Sequence, residues 1–184
     1  SSGGGKRGWS GPCKMFGMLV PNWTLMDCEF SADASAFAGD WERLIWRSLV
    51  PAGHNAPELL IPALDHRDDA RLAVVRDHEA LRMVLPVTRR RFPWPMLTNV
   101  SSPVSFFSQP HLDADFAVPA LTVFLRRAGG PVLLQSVPRT GPLWEALTAA
   151  AGHVAVLDRW QRAGLYISGD FESWFETSFE RKRR

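Results

Sequence analysis

Between Ser35 and Val50 the apolar residues Phe37, Trp41, Leu44, Ile45 and Leu49 recur at helical spacing, while Asp40, Glu42, Arg43 and Arg47 fall elsewhere. That spacing lays one apolar stripe along a helix. PAGHN interrupts it, and Pro57 suits the first turn of a second helix carrying Leu59, Leu60 and Leu64. Pro62 limits this helix to about two turns. The period then changes. Stretches 72–76 and 81–88 are β-rich and joined by the polar DHEA, which predicts a hairpin. Leu81, Met83, Leu85 and Val87 alternate with Arg82, Val84, Pro86 and Thr88, so one side of this strand is expected to face a core. Pro86 cannot donate to a ladder and marks a bulge or an edge. Further strands are expected at 25–30 and, after FPWPML turns the chain, at VSFF (104–107).

The second half has a different rhythm. Asp113 or Asp115 is placed to cap a helix reaching Ala128, with Phe116, Ala120, Val123 and Phe124 inward and Gly129-Gly130 as its stop. PVLLQSV reads as a buried strand, GPLWEALTAAAG as a helix and HVAVLDRW as another strand. After AGLYIS, Asp170 caps a last helix whose inner stripe is Phe171, Trp174, Phe175, Ser178 and Phe179. Helices alternating with buried strands after an antiparallel hairpin imply a mixed sheet flanked by helices. No internal repeat is present.

Composition narrows the class. With 184 residues, 46% hydrophobic and 22% charged, the chain is suited to one sizeable core and not to disorder. Eight Trp and eleven Phe against one Tyr predict a core built on large apolar rings, some able to line a pocket. The formal charge of +2 is concentrated in KRG, TRRRF and ERKRR. A nucleic-acid binder shows a broader basic face, so nucleic acid is disfavoured as a partner. Cys13 and Cys28 form no CxxC pair, which leaves neither a zinc ribbon nor a disulfide scaffold and fits a cytoplasmic protein. No apolar run approaches the roughly 18 residues of a membrane span. Residues 1–14 begin SSGGGKRG and read as a flexible arm or a cloning remnant.

The chemistry-bearing residues form no complete constellation. There is no G-x-S-x-G elbow and no H-E-x-x-H, so a serine nucleophile and a zinc hydrolase lack support and no metal is implied. DHRDD at 65–69 gathers Asp65, His66, Asp68 and Asp69, as either an acid/base or cation site or a solvated turn. RRRFPWP interleaves Arg89, Arg90 and Arg91 with Phe92 and Trp94. This pattern can stack bases or hold an anionic head group, and it also suits a charged strand end.

Five segments, taken in order, carry a resemblance: DWERLIWRSL, APELL, ALRMVLPVTRRR, SFFSQPHLDAD and ISGDFESWFETSFERKRR. Together they resemble the acetyltransferase family linked to cellulose biosynthesis, often called CelD or BcsL-like, whose members look like two GNAT-type halves in tandem. The resemblance spans residues 25–184. It implies an α/β fold with a GNAT-like mixed, largely antiparallel central sheet flanked by helices. Residues 15–168 would be the first half domain and 169–184 an amphipathic linker helix toward a second half. That second half would be the partner that holds acetyl-CoA or another acyl-CoA. Within this chain QRAGLY and RRAGGP approach the family's Gln/Arg-x-x-Gly-x-Gly/Ala loop but end in Tyr166 and Pro131. No residue here is therefore assigned to the cofactor or to catalysis. The resemblance implies acyl transfer to an amine, with Arg89, Arg90, Arg91, Trp94 and His111 as an acceptor-side surface. The alternative is a non-catalytic binding module, or a degenerate fragment, that holds a partner through its aromatic and basic rim. A homo-oligomer stays open.

Overall fold

The computed structural model describes residues 25–50, 56–78, 80–91, 93–100, 109–159, 170 and 172–175. Helix α1 (Ala38–Trp46) follows a short 3-10 turn at Ser35–Phe37 and buries Trp41 and Leu44, two members of the expected stripe. Helix α2 (Pro57–Asp65) opens on a proline, where a missing N–H costs nothing, and buries Leu64. Pro62 lies inside it, and the helix is only nine residues long.

The sheet has six strands in the order β1-β2-β3-β4-β6, with β5 also paired to β3. β1 (Asp27–Ser31), β2 (Ala70–Arg76), β3 (Leu81–Arg90) and β4 (Met96–Asn99) are successive antiparallel neighbours. β5 (His111–Leu112) is antiparallel to the start of β3. Helix α3 (Ala117–Ala128) then crosses to β6 (Val132–Leu133), which runs parallel to β4. α4 (Pro142–Ala150) follows. The expected mixed, largely antiparallel sheet flanked by helices is the observed architecture.

β3 departs from the one-sided reading. Residues 81–88 are all buried, because helices cover both faces of the sheet. Met83, Leu85 and Val87 pack with Leu121 and Phe124 of α3 and Leu143 of α4. Val84 and Leu81 pack with Trp41 of α1 and Leu64 of α2. Leu81 should share the face of Met83 by simple alternation. It does not, because Val75 pairs Met83 while Arg76 pairs Leu81, which leaves Arg82 as an extra residue in the strand. Such a bulge resets the alternation and re-aims a side chain. Pro86 sits in this central strand without losing a ladder bond to β2. Its carbonyl accepts from Val100 N (2.8 Å), so its nitrogen faces the same side, in the interval between β4 and β5.

Three other expectations change. FPWPML does not only turn the chain, because Met96–Asn99 is strand β4. PVLLQSV yields just the two half-buried residues of β6. Residues 153–159 form no strand and are exposed, since β-rich composition needs an edge to pair with. VSFF and AGLYIS lie outside the described residues, as do residues 1–14 and most of the last helix.

The chain divides after His153. In the second unit, Asp170 caps a helical turn at 172–175 as expected. Its carboxylate accepts from Ser173 N (2.8 Å) and Ser173 Oγ (2.7 Å), bonds that hold its pKa below the usual carboxylate range. At the far end of α3, Gly129 takes the left-handed conformation (φ 65°) that lets a glycine end a helix.

Candidate functional site

The five residues expected on one surface are not brought together. Arg89 and Arg90 are the exposed last residues of β3, Arg91 follows them, and Trp94 stands 69% exposed in the turn to β4. His111 is 1% exposed and pairs Val84 near the other end of β3, five residues from Arg89. At about 3.3 Å per residue that is roughly 17 Å along the strand. His111 instead meets the edge of Trp41, ring centroids 6.2 Å apart. It belongs to the interior and not to the rim. β5 puts it there by closing onto β3 beneath α1, a long-range pairing that no local pattern announces.

Close to His111 lies a polar cluster that the sequence reading passed over. Arg82, turned by the bulge, donates from Nη1 to Asp113 Oδ2 (2.8 Å) and from Nε to Asp77 Oδ2 (2.8 Å). Its guanidinium carbon lies 3.8 Å from the centre of the Phe116 ring. Burial opposes the charge on Arg82, but the bonds to Asp77 and Asp113 outweigh it and raise its pKa. Arg47, at the end of α1, brings Nε to 2.8 Å from Asp113 Oδ2, a contact of charges and not an aligned hydrogen bond, and donates from Nη2 to Leu81 O (2.6 Å). Ser48 Oγ accepts from Leu112 N (3.3 Å). The end of α1, the β2–β3 turn, the β3 bulge and the start of α3 are thus joined by charge. The one available signal was an arginine inside an otherwise apolar strand, in LRMVLP.

Asp113 has a second task. Its Oδ1 accepts from Asp115 N (3.2 Å) and caps the turn that leads into α3. A helix N-terminus attracts anions through its free N–H groups and its dipole. Here Asp113 caps the 3-10 turn Ala114–Phe116 and Phe116 gives α3 no side-chain cap, but Asp113 and exposed Asp115 set two negative charges just before the helix.

On the other side of the crossover, β4 and β6 pair only at Leu97 with Val132 and Thr98 with Leu133. Beyond them a side chain takes over from the backbone. Asn99 Nδ2 donates to Gln135 O (3.2 Å) and Asn99 Oδ1 accepts from Gln135 N (2.8 Å). The ladder therefore ends at Thr98 and Leu133, and the Asn99 amide takes the place of the next backbone pair at the carboxyl ends of the two strands. Ser136 follows with φ 58°, a conformation that a serine seldom adopts.

No family model, curated protein or solved structure matches the chain.

Parallel strands joined by a helix open their ligand crevices at the carboxyl ends. In this protein that end is where Asn99 bridges to Gln135. Arg89, Arg90, Arg91 and Trp94 are at the opposite end, where Arg90 pairs Met96 at the start of β4.

DHRDD resolves into the last residue of α2 and a turn in which Asp69 is paired. Asp69 accepts from Arg67 Nε (3.2 Å) and Nη2 (3.1 Å) and from Thr88 Oγ1 (2.6 Å). The Arg67 and Thr88 bonds lower its pKa to about 2. The turn borders an open pocket of about 300 Å³ lined by Ala34, Leu64, Arg67, Asp68, Arg71 and Leu72. No group of His, Cys, Asp and Glu able to hold a metal occurs among the described residues. Cys28 is buried in the α3/α4 core, and burial pushes its thiol up to about 12, far from the thiolate a nucleophile needs. No described helix is long and apolar enough to cross a membrane.

Proposed function

We propose that this chain is a GNAT-type domain that supplies scaffold and acceptor-side surface for acyl-CoA-dependent acyl transfer to an amine. The observation that carries the reading is the β4–α3–β6 crossover beside an antiparallel β1–β4 sheet, with the pairing of its two parallel strands ending after Thr98 and Leu133. Backbone N–H groups at such a strand end are the kind of donor that stabilises the oxygen of a thioester under attack by an amine; at rest Gln135 N is held by Asn99 Oδ1 and Val100 N by Pro86 O.

The start of α3 does not favour the pyrophosphate of acyl-CoA. That pyrophosphate needs free amides at a helix N-terminus, whereas the turn leading into α3 places the carboxylates of Asp113 and Asp115 just before the helix, where they disfavour a further anion. No catalytic step is assigned to this chain for that reason. The cofactor belongs to the second half that the sequence resemblance implies.

Isothermal titration with acetyl-CoA separates the parts of this reading. This chain alone is expected to give no binding in the micromolar range, whereas a product of the same gene that includes the second half binds acetyl-CoA and acetylates a primary amine. Micromolar binding by this chain would overturn the placement of the cofactor. Failure of the longer product to bind acetyl-CoA and to transfer an acetyl group would overturn the reading itself.

A further inference from the structure

We propose that the β3–β4 turn is a docking tip for an anionic lipid surface. This holds whether or not the chain takes part in acyl transfer, since the tip lies at the opposite end of β4 from the Asn99–Gln135 bridge. No Asp or Glu occurs between Glu79 and Asp113, so the whole β3–β4 hairpin is without a negative side chain. Arg89, Arg90 and Arg91 are consecutive and exposed, and no described carboxylate pairs with any of them. Three neighbouring cations repel one another, and an external anion relieves that repulsion.

Shape selects the anion. Eight buried residues of β3 precede Arg89, so the strand leaves the core only at its end. Successive strand residues leave on opposite faces, which spreads the guanidinium groups around the tip instead of lining one side of it. Arg90 pairs Met96, so the chain reverses within five residues, of which Arg91, Pro93, Trp94 and Pro95 are exposed. A short hairpin end meets a plane of phosphates more readily than it tracks a single strand. Single-stranded nucleic acid is held in a basic groove with several stacking rings.

Trp94 supplies the apolar part. It stands 69% exposed between Pro93 and Pro95, themselves exposed. Proline fixes φ on either side, so docking the ring orders little additional backbone. Tryptophan settles at the headgroup level of bilayers, and arginine pairs with phosphate through two parallel hydrogen bonds.

Sedimentation of the full chain with vesicles tests this. Partition into phosphatidylserine-rich vesicles is expected to exceed that into pure phosphatidylcholine on the order of a hundredfold, since each of three basic residues near the surface contributes. The Arg89→Ser/Arg90→Ser/Arg91→Ser variant is expected to lose that gain. Trp94→Ala is expected to weaken binding to the anionic vesicles severalfold. Circular dichroism and the urea midpoint of both variants should match the parent protein, which separates lost binding from lost folding. Equal partition into the two vesicle types would overturn the proposal, as would undiminished binding by the triple variant. So would an oligothymidylate that binds more tightly than the vesicles through the same three arginines.

Discussion

Strand β3 carries arginine near both ends, and the two ends have opposite surroundings. Arg82 meets Asp77, Asp113 and the Phe116 ring in a site where its side chain is 10% exposed. Arg89 and Arg90, seven and eight residues further on, face water. Residue type is the same, and so is the strand. What differs is how many other segments converge. At the first end α1, the β2–β3 turn, β5 and the start of α3 all close on the bulge. At the second, β2 ends at Ala70 against Thr88, and Arg89 and Arg90 are paired by the start of β4. The contrast teaches that the guanidinium group is a structural clamp where charges can be matched inside the fold, and an outward-facing contact where they cannot.

The two ends should respond differently to substitution. Arg82→Ala removes the shared partner of two carboxylates that are 12% and 4% exposed. Breaking such a pair leaves a buried charge uncompensated and is expected to cost about 3–5 kcal/mol, read from urea unfolding by tryptophan fluorescence. Arg82→Lys should recover only part of this, because one ammonium cannot reproduce the planar fork that spans Asp77 and Asp113. If Arg82→Lys is as stable as the parent, the two-armed geometry is not what matters.

A smaller effect lies near the exposed end, at Asp69 against Thr88. Asp69 has a folded pKa of about 2 against an ordinary aspartate value of 3.8, so its contribution is present above 3.8 and fades as pH falls toward 2. Its side chain is 58% exposed, and solvent screening keeps the contribution to a few tenths of a kcal/mol. Asp69→Asn should therefore be slightly less stable than the parent near neutral pH and indistinguishable from it in strong acid. Unfolding curves at the two pH values check both halves of that statement.

The elements easiest to read in the sequence were those whose packing follows from their own period. α1, α2, α3 and α4 were legible from apolar spacing, prolines at helix starts and Gly129 as a stop. The β2–β3 hairpin was legible from alternation, and the parallel β6 only in part. β4 was hidden because four residues behind FPWP are too few to show a period. Residues 153–159 misled for the opposite reason: β-prone composition was present without a strand to receive it.

The site residues divide in the same way. Arg89–Arg91 and Trp94 were visible as a rim because exposure at a strand end is a local property. The positions of His111 and Arg82 depend on β5 and on the bulge in β3, both of which are set by partners distant in sequence. Asn99 gave no signal at all, since its amide matters only because β6 arrives beside β4.

Urea unfolding of Asp113→Ala beside the Arg89→Ser/Arg90→Ser/Arg91→Ser variant tests the central contrast most directly. The account expects Asp113→Ala, which strips Arg82 and Arg47 of a shared carboxylate, to lose about 3 kcal/mol or more. It expects the triple variant, three charges lighter, to stay within about 1 kcal/mol of the parent, as surface substitutions do. Equal losses in the two variants, or a larger loss at the exposed end, would contradict it.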